Sequence, residues 1–231
     1  MKRIGKMNEA AWLLGIIICS LGVCLSTKAD FGLSMIASVP YIIHLKMVQI
    51  FPWYTQGTSE YIWQAILLIL MCIVIRRFKA RYLLSFAAAF LNGKFIDLWL
   101  FILGGNQPFE SMYLRIAAFI FGTVFTAMAV AFYFRTSLPL QVYELLVKEI
   151  SDRFSFNINR TKQAADIVFL ILSIMLAYFL NGNFRGIGIG TVIITCTNAT
   201  LISFFGSIED YLFKFDMRFG LLEKYFSEEK K

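Results

Sequence analysis

The sequence predicts an all-α polytopic membrane protein, with six transmembrane helices arranged as two inverted three-helix repeats and short interfacial helices. Three observations predict this class. Hydrophobic residues make up 58% and charged residues 16% of the 231 residues, against about 45–50% and about 25% in globular chains. The apolar residues gather into runs of about 20, enough to cross a hydrocarbon core of about 30 Å. Basic residues concentrate in alternate connections between these runs.

We expect each apolar run to form one spanning helix. A chain that crosses lipid has to pair its backbone N–H and C=O groups internally, and a single segment does this only as a helix. The six predicted spans cover residues 10–27, 60–76, 82–103, 112–134, 163–181 and 187–208.

The distribution of basic residues predicts the orientation of the spans. Lysine and arginine are frequent before the first span, after the second and fourth, and after the sixth, whereas the other connections carry only Lys28, Lys46, Arg115 and Arg185. Because basic connections stay inside the cell, both termini are expected in the cytoplasm. The whole chain then forms a single transmembrane domain, with residues 211–231 as a cytoplasmic tail.

An offset of about 107 residues relates two halves of the chain, about 10–105 and about 112–210. The offset aligns Gly15 with Gly122 and Lys28 with Arg135. Three spans per half is an odd number, so the halves would have opposite orientations, as in many secondary transporters. The alternative is that two halves of any six-span chain resemble each other in this way.

The first and fourth spans each contain a stripe of small residues along one helical face. Such stripes let helices approach closely in lipid. Each stripe is followed by a short segment, residues 32–45 and 138–150, with the pattern of an interfacial helix. The stripes consist of Gly15, Cys19, Gly22 and Ser26, and of Ala118, Gly122, Thr126 and Ala129.

The third span contains Lys94 and Asp97, which lie three residues apart on one helical face. A charge at the bilayer centre costs at least about 2.5–3.5 kcal/mol, so such residues usually have a function or pair with each other. We expect a mutually neutralised pair inside the bundle. It is either a substrate or coupling-ion site or a purely structural ion pair.

Further polar candidates lie in the other spans. Thr195 and Asn198 follow Thr191 on one face of the sixth span, as a polar cavity wall or as interhelical hydrogen bonds. Asn198 aligns with Asn92 of the first half. Asp166 is expected at the start of the fifth span, as a site residue or a solvated carboxylate. Gln64 is expected near a membrane boundary of the second span.

Three short stretches carry a resemblance to a known family: "TKADFGLS" after the first span, "FLNGKFIDLWL" in the third, and "GIGIGTVI" at the start of the sixth. Over about residues 10–210 the chain resembles the YczE/YyaS/YitT-like bacterial integral membrane proteins. It departs from their pattern at Tyr82-Leu83, where Gly-Thr usually stands, and at Lys94, in place of a proline. The resemblance implies a multi-pass protein of the bacterial cell membrane and no settled activity.

The sequence excludes several other functions. The basic residues form no continuous face for nucleic acid, and the single His44 and the cysteines have no metal-ligand spacing. No nucleophile–base motif or cofactor-binding motif is present, so neither an enzyme nor a cofactor is expected. The prediction is a transporter of a small molecule or ion in the bilayer, with a homo-oligomer as a candidate assembly. The alternative is a membrane scaffold or regulatory partner without a transport path.

Overall fold

The computed structural model describes residues 8–136 and 138–213, and the regular elements over these residues are helices. Both halves of the chain have the same order of elements: a long helix, a short helix and two long helices. The first half contains α1 (Asn8–Ala29), α2 (Met35–Ile50), α3 (Gln56–Ile75) and α4 (Arg81–Ile102). The second contains α5 (Met112–Arg135), α6 (Val142–Phe154), α7 (Ile158–Leu176, continued by the π-helical turn Ala177–Asn181) and α8 (Ile189–Leu212).

Six of these helices, α1, α3, α4, α5, α7 and α8, are long and apolar enough to cross a membrane, as predicted. The starts of α3 and α7 differ from the prediction, since these helices begin at Gln56 and Ile158 rather than at residues 60 and 163. Their first turns are polar, which hid them from a search for apolar runs. The basic residues before Asn8 and after Phe213 lie outside the described residues, as does most of the predicted tail.

Helices α1 and α5 pack against each other through the two predicted stripes of small residues. A Cβ atom on Gly22 would lie 2.9 Å from the carbonyl oxygen of Gly122, and one on Gly122 would lie 2.9 Å from the carbonyl oxygen of Gly22. Gly15 faces the ring of Tyr133 in the same interface. The backbones therefore meet at a distance that only small residues allow, and the predicted close approach is confirmed.

The short helices α2 and α6 are packed inside the bundle. Helix α2 packs against α3 and α7, and α6 packs against α3 and α7 as well. Their first turns enter one apolar cluster, to which Met35 and Val39 contribute from α2 and Val142 and Tyr143 from α6. The amphipathic pattern of residues 138–150 predicts one polar face with Glu144, Lys148 and Asp152. Lys148 and Asp152 are exposed, but Glu144 is only 8% exposed, so the prediction is wrong at Glu144.

The two halves differ in how their last two helices meet. In the first half α3 and α4 cross so closely that a Cβ atom on Gly57 would collide with the carbonyl oxygen of Gly93. In the second half a cavity of about 310 Å³ lies between α7 and α8, with Lys162 and Ala199 on opposite walls. The bundle is therefore closed between α3 and α4 and open between α7 and α8.

Candidate functional site

Asp97 is a residue of α4, and its carboxylate binds the N-terminus of α3. The Thr55 hydroxyl donates to Oδ2 at 2.8 Å, and the Gly57 N–H donates to Oδ1 at 2.8 Å. Backbone N–H groups in the first turn of a helix have no partner within the helix, and the helix dipole favours an anion there. Asp97 thus supplies α3 with a cap that comes from another helix.

Lys94 does not pair with Asp97, contrary to the expected neutralised pair. Its side chain is exposed, and its ammonium lies 5.7 Å from the ring centroid of Tyr61 and 5.4 Å from that of Phe90. Among the described side chains no salt bridge joins the two residues. Both side chains are directed toward α3, but the Asp97 carboxylate binds the first turn of that helix, whereas the Lys94 ammonium lies beside Tyr61 one turn further along.

The other predicted site residues are dispersed over the bundle. Asn92 is 1% exposed and its Oδ1 has no hydrogen-bond partner. Thr195 is exposed, and its hydroxyl donates to the Thr191 carbonyl of its own helix at 2.7 Å. Asn198 is half-buried on the same helix, and Asp166 accepts a short hydrogen bond from the Tyr143 hydroxyl. The structure therefore does not bring the predicted candidates together in one site.

Asp97 borders a cavity of about 500 Å³, the Asp97 cavity, at the end of the bundle where α4 connects to α5. Asn106 Nδ2 lies 2.5 Å from Nε2 of His44, whose Nδ1 is buried without a partner. Burial lowers the pKa of His44, with Asp97 acting in the opposite direction. Gln56 enters the wall from α3, donates to the Thr27 hydroxyl at 3.0 Å and leaves its own Oε1 unpaired. The cavity thus presents polar atoms that have no partner within the protein.

A network of buried polar side chains, the amide network, begins one turn deeper on α3. Gln64 Nε2 donates to Glu60 at 3.0 Å and to Gln141 Oε1 at 3.3 Å, and Gln64 Oε1 accepts from the Val142 N–H at 3.1 Å. Gln141 in turn donates to the Tyr133 hydroxyl at 3.0 Å. The network therefore joins α3 and α5 to the first turn of α6 in the interior of the bundle.

Glu144 follows this network on α6 and lines the cavity between α7 and α8, the Lys162 cavity. Its Oε2 is buried without a hydrogen-bond partner. Burial raises the pKa of Glu144, against the opposing charge of Lys162. On the same cavity wall the Lys162 ammonium lies 5.2 Å from the ring centroid of Tyr143. Glu60 and Glu144 are both buried carboxyl groups, and neither has a salt bridge in the described parts of the chain.

Sequence reasoning missed Glu60, Gln141 and Glu144 as site residues and misplaced Gln64. Gln64 is 1% exposed and lies in the middle of α3, not at a boundary. Its meeting with Gln141 joins residues 77 positions apart, which a local pattern does not reveal. The available signal was the pair Glu60 and Gln64, which share a face of an apolar helix at a spacing of four residues.

The glycine-rich signature stretches pack against each other. The Gly190 N–H donates to the Phe31 carbonyl at 2.8 Å, and the Leu33 N–H donates to the Gly186 carbonyl at 3.0 Å. Gly32 has φ of 112° and Gly186 has φ of 90°, a region that favours glycine. The stretches therefore join the start of α8 to the α1–α2 connection.

The model of a family of unknown function, DUF6198, matches residues 6–207 of the chain. Uncharacterized protein YyaS of Bacillus subtilis (strain 168) is 31% identical over 196 residues, which cover 83% of this chain and 89% of that protein. The resemblance to YyaS is thereby confirmed, and the wider grouping with YczE and YitT stays a prediction. No solved structure matches the chain. Six described helices of this chain are long and apolar enough to cross a membrane, and the chain belongs to DUF6198, a family of unknown function.

Proposed function

We propose that the protein is a secondary transporter of a small molecule or ion, in which the amide network separates two cavities. The observation that supports the proposal is the spatial order of these features, in which a buried polar network lies between two cavities. Gln56 lines the Asp97 cavity, Glu60 and Gln64 follow at one-turn intervals on α3, and Glu144 lines the Lys162 cavity. Polar residues inside a bundle of apolar helices raise the free energy of the folded protein, so such residues usually have a function.

The two cavities lie at opposite ends of α5. Asn106 and Gln107 place the Asp97 cavity before the start of α5, and Phe134 places the Lys162 cavity at its end. The positive-inside rule assigns the Asp97 cavity to the outside of a bacterial cell membrane and the Lys162 cavity to the cytoplasm. In this conformation the Lys162 cavity reaches Glu144 directly, whereas Glu60 is buried below Gln56.

The packing of the helices supports two inverted repeats. Helix α1 packs against α4 as α5 packs against α8, and α2 packs against α7 as α6 packs against α3. These are the pairings that exchange of the two halves would produce. In transporters built from inverted repeats the site lies at the repeat interface, and the two halves alternate between conformations. The amide network has this location, since it joins α3 to α5 and α6.

A membrane scaffold without a transport path is the second candidate. A scaffold differs from a transporter in that its helices would pack around Asp97 without a cavity. A cavity of about 500 Å³ at Asp97, with unpaired buried atoms on Gln56 and His44, favours the transporter.

Cysteine accessibility tests the proposal without a known substrate. In a variant whose four cysteines are replaced, single Gln56→Cys and Val147→Cys substitutions are treated with a membrane-impermeant thiol reagent from each side of the membrane. We expect reagent outside the cell to modify position 56 and reagent on the cytoplasmic side to modify position 147. The matched controls are Ile16→Cys, whose native side chain is 0% exposed, and the outward-facing Val192→Cys.

The accessibility result separates the two candidate functions. Modification of positions 56 and 147 from opposite sides supports a transport path. Modification of both from one side, or of neither, contradicts it and favours the scaffold. Candidate substrates are then tested by uptake into proteoliposomes, with Gln64→Leu as the variant that removes the amide network.

A further inference from the structure

We propose that Glu60 and Glu144 form a proton-binding pair, one carboxyl group on each side of the amide network, and that this pair couples proton movement to transport. The coupling of protons to transport rests on the proposed function. Proton binding by the two carboxyl groups can be tested independently of it. The pair is separate from the Lys94 and Asp97 candidates, which lie near or on the surface of α4.

The first argument is burial without a salt bridge. Glu60 is 6% exposed and Glu144 is 8% exposed, and no salt bridge to either occurs among the described side chains. An ionised carboxylate in such surroundings is expensive, and a carboxyl group there tends to take up a proton instead. Glu149 provides the contrast on the same helix, since it is also buried but lies 3.5 Å from the Lys79 ammonium.

The second argument is that Glu144 has an unused oxygen at a cavity. Its Oε2 has no partner, although the side chain lines the Lys162 cavity. Such an atom can release a proton to water that enters the cavity, leaving a carboxylate and a hydronium ion. Burial raises the pKa of Glu144, which favours the protonated form before the cavity fills with water.

The third argument is the position of Glu60. One of its oxygens accepts from Gln64, and the side chain lies one helical turn below Gln56, which lines the Asp97 cavity. A conformation in which the Asp97 cavity deepens by one turn would expose Glu60 to water as Glu144 is exposed here. Each carboxyl group would then exchange its proton with water on one side of the membrane.

A proton fits this pair better than a sodium ion does. Metal cations in proteins are held by several oxygen ligands at once, whereas Glu60 faces an amide nitrogen of Gln64. Lys162 also lies in the Glu144 cavity, where it would oppose a bound cation. The titratable and charged groups near the pair, from every packed helix, are Cys19, Tyr133, Tyr143, Lys162 and Asp166.

Carbodiimide labelling followed by peptide mass analysis tests the pair in the full-length wild-type protein, reconstituted in lipid vesicles. A hydrophobic carbodiimide reacts with protonated carboxyl groups in apolar surroundings. We expect labelling of Glu144 to fall with rising pH, with a midpoint above the ordinary glutamate pKa of about 4.3. Glu149 is the internal control and should remain unlabelled, because Lys79 stabilises its ionised form. Glu144→Gln and Glu60→Gln should each remove one labelled peptide.

Each outcome of this experiment has a definite meaning. Absence of Glu144 labelling, or labelling equal to that of Glu149, overturns the proposal. Protection of Glu144 by sodium chloride but not by choline chloride at constant pH also overturns it, in favour of a sodium site. Labelling as expected, combined with accessibility from one side only, would retain the proton site and reject transport.

Discussion

At the scale of single residues, the charged groups of the third span do not behave as the pair they resemble in sequence. Asp97 caps α3 through Thr55 and Gly57, and Lys94 lies over the rings of Tyr61 and Phe90. Spacing on a helix predicts which residues share a face, but it does not predict which of them finds a better partner on another helix. Here a helix N-terminus bound the carboxylate and two aromatic rings bound the ammonium.

A double-mutant cycle at Lys94 and Asp97 tests this separation. We expect Asp97→Leu to destabilise the protein by about 1–3 kcal/mol, because it leaves a first-turn N–H of α3 without a partner. Lys94→Met should cost less than about 1 kcal/mol, the size of an exposed cation–π contact. Thermal unfolding in detergent should give additive effects within about 0.5 kcal/mol. A coupling energy well above that value would indicate that the two charges interact after all.

The amide network supports a second prediction at this scale. Gln64→Leu removes the hydrogen bonds to Glu60, Gln141 and the Val142 N–H. Buried polar groups that lose their partners should destabilise the protein by about 2–4 kcal/mol in total. Thermal unfolding measures the loss. Gln163→Leu is the matched control, because Gln163 is exposed on α7 and its loss should change stability by less than about 0.5 kcal/mol. Equal effects of both substitutions would contradict the network.

At the scale of the elements, composition and length predicted the six long helices because lipid admits few alternatives for an apolar run of that length. The first turn of α3 could not be predicted in this way. It is polar, and it is held by contacts with Thr27 and Asp97 from α1 and α4. The burial of α6 could not be predicted either, because its amphipathic pattern fits an interface equally well and only its neighbours α3 and α7 decide.

The contact between α1 and α5 gives a prediction about helix packing. Gly122→Ala should destabilise the protein more than Gly15→Ala, although both glycines lie in the contact between α1 and α5. A Cβ atom at position 122 meets a backbone carbonyl that cannot move aside, whereas one at position 15 meets the ring of Tyr133 at 3.0 Å. Overpacking in a dense interior costs about 1–3 kcal/mol. Comparison of the two melting temperatures in one detergent decides, and a larger loss at position 15 would contradict the rigid contact.

At the scale of the whole molecule, the two halves share an order of elements but not a conformation. Gly57 and Gly93 bring α3 and α4 together, while α7 and α8 have a cavity between them. If the halves are inverted repeats of a transporter, this difference is what one of two alternating conformations requires. The second conformation would separate α3 from α4 and close α7 onto α8. The sequence predicted the repeat, but it contains no information on which half is open.

Cross-linking across the Lys162 cavity tests for that second conformation. In a cysteine-free background, Ile158→Cys on α7 and Ile202→Cys on α8 place one thiol on each wall of the cavity. We expect an oxidant to join them within one chain, because closure of the cavity brings the walls together. A third variant also carries Gln56→Cys, whose thiol is protected until the oxidation is complete. After cross-linking, this thiol should react faster with a reagent added from the side of the Asp97 cavity. Val168→Cys with Val192→Cys, both about 60% exposed on the outer surfaces of the same helices, is the control pair and should not form this bond. Equal cross-linking of both pairs would reflect general flexibility of the two helices. Unchanged reactivity at position 56 after cross-linking would mean that the two cavities open and close independently.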